Sequence, residues 1–134
     1  MKKIIISAVV VVIIASVVIL TKNNVANNNV VKIGAIMTMT GRASFLGEID
    51  KNAMEIAIKE INAKYPNKKV ILIVEDSQSD AKVAASAVSK LINIDKVDAI
   101  FVETTGPSVA VSPIAKSAGV PVIYSSFTDV PLKD

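Results

Sequence analysis

Small hydroxyl side chains gather at two places in this chain, Thr104-Thr105 and Ser125-Ser126 with Thr128, and each group directly follows an apolar run. Hydroxyls beside the free amides of a helix start are a setting for a carboxylate or similar anion. Taken one at a time, each of them is equally suited to capping the helix that follows. Carboxylates gather at a third place, Glu75, Asp76 and Asp80. An acidic strand end can hold Mg²⁺, but no Gly-rich phosphate loop follows the first apolar segment, and nothing resembles a dinucleotide fingerprint. The chain has no Cys and no His. That removes thiol and imidazole catalysis, disulfides and nearly all zinc sites. The chemistry left is binding rather than turnover: no enzyme activity, no cofactor and no metal are expected.

The elements that must position these groups follow from hydrophobic periodicity. Val30 to Met37 is β-branched and apolar, as a strand covered on both faces should be, and the polar loop "TMTGRASFLG" follows it. From Glu48 to Lys64 the period becomes helical. Ile49, Ala53, Ile56, Ala57 and Ile61 fall on one stripe, with Lys51, Asn52, Glu55 and Lys59 opposite, which predicts that the stripe faces the core. "KKVILIVEDS" reads as a second strand, and Asp80 as the N-cap of a helix running to about Asn93. "KVDAIFVETT" is a third strand, and "GPSVAVSPIAKSAG" a third helix stopped by Gly119. Pro113 suggests either a short first turn or a start close to Ser112. "VPVIYSS" is the fourth strand. The βαβαβαβ order predicts an α/β fold, a doubly wound parallel sheet with right-handed connections. In such sheets the loops after the strands share one edge, so the two hydroxyl groups should be neighbours in space.

The 134 residues suffice for one modest domain, and the net charge of +3 depends on Lys2, Lys3 and Lys22. Without those three, twelve basic residues meet twelve acidic ones, which gives no footprint for nucleic acid. The same lysines bracket an apolar run from Ile4 to Leu20, the layout of an export signal. A cleavage site wants small residues at −3 and −1, and the nearest candidate, Ala26, has Asn24 at −3. An uncleaved membrane anchor is therefore favoured over a cleaved signal peptide for residues 1–22. Residues 23–29 read as an Asn-rich tether, and 30–134 as the folded domain, placed outside the cytoplasmic membrane.

Several motifs of the folded part resemble the branched-chain amino-acid (Leu/Ile/Val-type) binding proteins of ABC importers. These are the "TG…A..G" loop after the first strand, a helix ending in "EIN", "EDSQSD" before an Ala/Val helix, and "AGVPVI". The resemblance runs from about Val31 to Leu132 and implies the N-terminal part of the first lobe of a type I periplasmic-binding-protein fold. It implies a small-molecule ligand, an amino acid or amide, and a membrane permease as partner. By position it implies that Thr105 and Gly106 meet the ligand carboxylate, that Ser126 and Thr128 meet the head group, and that Ser44, Phe45 and Leu46 close one wall. Thr105 stands where Ser is usual, Pro107 is unusual in that loop, and Phe127 is bulkier than the common Ala. Such receptors have a second lobe that supplies the acidic partner for the ligand ammonium and closes by a hinge. The chain is thus expected to be a truncated fragment that does not bind solute strongly alone. The alternative expectation is a membrane-anchored sensor domain of the same fold.

Overall fold

The computed structural model describes residues 29–126. The N-terminal apolar segment, nearly all of the Asn-rich tether, Phe127 and Thr128 lie outside the described residues. Among those described, no helix is long and apolar enough to cross a membrane.

Four strands form one sheet: β1 (Val30–Met37), β2 (Lys69–Asp76), β3 (Ala99–Glu103) and β4 (Val122–Ser125), in the order β2-β1-β3-β4. All neighbouring pairs are parallel, with Ala35 opposite Val74 and Phe101, and Glu103 opposite Ser125. The connections are α1 (Ser44–Lys64), α2 (Ala81–Lys90) with a π-helical turn Leu91–Asp95, and α3 (Thr105–Ala118). The chain steps from β1 to β2 in one direction and from β2 through β3 to β4 in the other. Right-handed crossovers therefore place α1 on one face of the sheet and α2 and α3 together on the other. The core lies on the second face, where Ile36, Ile100 and Val102 of the sheet meet Ala84, Val88, Leu91, Val111 and Ala115.

Local chemistry explains most of the boundaries. The Asp80 side chain accepts from the amides of Lys82 and Val83, so it caps α2 as expected. Gly119 closes α3 with φ +69°, a left-handed conformation that suits a residue without Cβ. The expected end of α2 near Asn93 is instead the wider π-helical turn, closed by Lys96 at φ +56°. Helix α3 begins at Thr105 and passes through Pro113 without interruption. Pro113 removes a hydrogen bond to the carbonyl of Val109, whose side of the helix is exposed to water. Burial of Pro107, Ser108, Val111, Ser112 and Ala115 outweighs that loss.

Helix α1 departs most from the sequence reading. It starts at Ser44, within the expected loop, and its only fully buried residue is Gly47. The stripe expected to face the core is exposed, with Ile49 at 60% and Ile56 at 62%. Two contacts turn the helix about its axis. A Cβ on Gly47 would run into the Thr38 carbonyl, so the first turns lie close on the end of β1. Asn62 donates to the Val70 carbonyl at 2.9 Å and accepts from the Val70 amide at 2.7 Å, which fastens the last turn to β2.

Candidate functional site

The C-terminal ends of the four strands converge on one edge and are joined by hydrogen bonds across it. The Thr38 amide, just past β1, donates to Glu103 Oε2 at 2.9 Å. The Thr38 hydroxyl meets those of Ser79 at 3.0 Å and Ser77 at 3.4 Å. The Thr104 amide donates to the Ser125 carbonyl at 3.0 Å, which makes the two hydroxyl groups of the sequence direct neighbours. Asp76 holds the loop after β1, accepting from the Met39 amide, the Thr40 hydroxyl and the Gln78 amide. Its burial raises the carboxyl's pKa, but these donors outweigh that effect, and the balance lies below the usual aspartate range. Glu75 pairs with Lys90 at 2.5 Å. The three carboxylates singled out in the sequence are thus engaged in a loop brace, an ion pair and a helix cap.

Thr104 forms the turn from β3 into α3 at φ +66°, ψ +153°, a region that a β-branched residue rarely enters. Its carbonyl is fastened by both the amide and the hydroxyl of Ser108, at 3.1 and 2.6 Å. Its own Oγ1 is buried and has no hydrogen-bond partner. Immediately beyond, the amides of Thr105 and Gly106 open the helix and have no carbonyl four residues back to bond within it. The positive end of the α3 dipole therefore sits on the rim.

Beside this turn lies an open cleft of about 180 Å³, lined by Leu46, Asp50, Glu103, Thr104, Ser125 and Ser126. Of the residues expected from the sequence, Leu46 and Ser126 line it. Thr105 and Gly106 occupy the adjoining helix start. Ser44 and Phe45 lie in the first turn of α1 without lining the cleft, and Phe45 is 58% exposed. Sequence reasoning assigned no role to Asp50 or Glu103. Glu103 is only 4% exposed. Burial pushes its carboxyl up, the Thr38 amide pulls it down, and the nearby Asp50 charge pushes it up again, leaving it above the usual glutamate range. A charged residue closing the apolar run "AIFV" was the available signal. Asp50 had a weaker one, lying one helical turn after Leu46.

Comparison with known proteins agrees with this architecture. A family model described as periplasmic binding protein matches residues 30–133. A Leu/Ile/Val-binding protein homolog 7 of Brucella abortus is 32% identical over 94 residues, which cover 68% of this chain and 23% of that protein. The branched-chain amino-acid transporter substrate-binding protein LivJ of Streptococcus pneumoniae, solved with isoleucine, superposes with a TM-score of 0.73 at 30% identity. That match covers 78% of this chain and 31% of LivJ. A solute-binding protein of Rhodopseudomonas palustris, solved with 3,4-dihydroxybenzoic acid, gives a TM-score of 0.70 at 28% identity, covering 77% and 29% of the two chains. This chain thus spans about a quarter of the length of the curated relative.

Proposed function

This chain belongs to the periplasmic binding protein family, and from that premise we propose that it is a solute-binding component of an ABC importer, acting outside the cytoplasm on a branched-chain amino acid or related small amide. The rim carries this reading. A helix start at Thr105 and Gly106 lies beside hydroxyls from two strand ends, over a cleft at the carboxyl edge of a parallel sheet. The ligand carboxylate sits against the α3 N-terminus, where the dipole and amides stabilise negative charge. Ser126 and Thr128 serve its head group, and Leu46 forms the apolar wall. A membrane permease is the partner that receives the solute.

The described residues form part of one lobe and line a ligand on one side only. Roughly three or four hydrogen bonds at about 1 kcal/mol net each correspond to a dissociation constant on the order of 1 mM or weaker. The test is an NMR titration of the full chain in detergent micelles with leucine, isoleucine, valine and small amides. The expected result is fast-exchange shifts at Thr104–Gly106 and Ser125–Ser126, saturating in the millimolar range. Shifts confined to other parts of the molecule, or none, would remove the receptor reading. Submicromolar binding would show that the one-lobe energetics are wrong.

A further inference from the structure

The turn from α1 into β2 is basic and unpaired. Lys64, Lys68 and Lys69 are exposed there, and none has a carboxylate within ion-pair distance among the described residues. The Lys64 ammonium lies instead 5.3 Å from the centroid of the Tyr65 ring, and Tyr65 is 51% exposed. An open recess of about 340 Å³ runs along the turn, lined by Lys64, Tyr65, Pro66, Asn67 and Lys68. The acids of this end of the molecule do not offset these lysines. Asp95 pairs with Lys90 at 3.2 Å, Asp98 accepts the Lys32 amide at 2.8 Å, and Glu60 makes no ion pair with Lys64 one helical turn on. The cleft with Asp50 and Glu103 lies at the other end of the strands, eight residues or about 26 Å of β-structure away.

The N-terminal tether meets the domain at this same basic edge. The Asn29 carbonyl accepts the Lys69 amide, and Val30 stands opposite Lys69 in the sheet. The nine residues 21–29 separate Val30 from the apolar run, a reach of at most about 30 Å. We infer that the turn between α1 and β2 is a binding surface for the headgroups of anionic phospholipids, which seats the strand-start edge on the membrane entered by residues 1–22 and turns the cleft outward. The inference goes beyond the receptor reading and stands on the membrane anchor expected from the sequence. The lysine ammoniums around the recess take the lipid phosphate, and Tyr65 sets an amphipathic ring at headgroup depth. Each lysine brought to an anionic surface favours contact by roughly fivefold. The same surface repels the acidic cleft edge, so charge decides which end of the domain faces the bilayer.

The experiment places the full chain in lipid nanodiscs of phosphatidylcholine alone, or of phosphatidylcholine and phosphatidylglycerol in equal parts. Each disc carries a lipid with gadolinium chelated at its headgroup, and paramagnetic broadening is read at the backbone amides. In the anionic discs the amides of residues 65–69 should broaden well beyond those of Thr104–Gly106, and the excess should be absent from the neutral discs. Raising the salt from about 0.1 to 1 M shortens the screening length from about 10 to 3 Å and should abolish it. Lys64→Gln, Lys68→Gln and Lys69→Gln together, all at exposed positions, should cut the excess by about tenfold or more. Arg42→Gln with Lys82→Gln removes two cations at the cleft edge and should leave it unchanged. Equal broadening in both kinds of disc, broadening led by Thr104–Gly106, or the same loss in both sets of variants overturns the inference and leaves the receptor reading standing. A chain that enters neither kind of disc overturns it together with the anchor.

Discussion

Glu103 is a residue whose burial works against its charge. Its folded-state carboxyl holds a proton more tightly than the unfolded chain does, because desolvation and Asp50 outweigh the Thr38 amide. The stability linked to this group is therefore fully present below the unfolded-state pKa and is lost as pH rises through the folded-state pKa. Glu103→Gln has no charge to bury, so it should melt at a higher temperature than the parent at neutral pH. The difference should close below the ordinary glutamate pKa. Thermal melts of both proteins over a pH series check this, and a gap that stays constant with pH would show that the carboxyl is not the cause. The hydroxyl pairs at 104–105 and 125–126 were legible in the sequence because they follow apolar runs. The role of Glu103 was not, because a strand-end glutamate looks the same whether it faces water or a cleft.

Among the elements, the Asp80 start of α2 and the Gly119 stop of α3 conform to their sequence signals, whereas the end of α2, the start of α3 and the buried face of α1 do not. Asp80 and Gly119 act locally, through hydrogen bonds and dihedral preferences that reach only a few residues, so the sequence displays them directly. Helix α1 has apolar residues on more than one side, and periodicity alone selects the longest stripe. The structure selects the side with Gly47 and Asn62, because only those two allow a close approach at one end and a paired hydrogen bond at the other. Asn62→Ala removes both bonds to Val70 at about 1 kcal/mol each, partly offset by the better helix propensity of Ala. The expected outcome is a net loss of about 1–2 kcal/mol in denaturant unfolding, with faster hydrogen exchange at the Val70 amide. Unchanged exchange at Val70 would mean that the helix is held some other way.

Over the whole molecule, packing is asymmetric: one face of the sheet carries the core beneath α2 and α3, and the other carries α1 with Ile49 and Ile56 in solvent. The asymmetry makes opposite forecasts for two chemically identical changes. Ile36→Ala, at 0% exposure between the sheet and the two helices, should cost about 2–5 kcal/mol. Ile56→Ala should stay within about 0.5 kcal/mol of the parent. Denaturant midpoints of the two variants decide the matter, and a large loss at Ile56 would restore the inward-facing stripe. The strands, their parallel pairing and the gathering of the loops that follow them on one edge were determined by the sequence alone. Alternation, crossover length and handedness are properties of the chain that hold whatever it packs against. Which side of α1 is buried, that Thr104 takes a left-handed turn, and that Asp50 and Glu103 share a cleft 53 residues apart in sequence were decided only by the tertiary structure. Each of these depends on close packing between distant segments, where a missing Cβ or one side-chain amide outweighs any periodic preference.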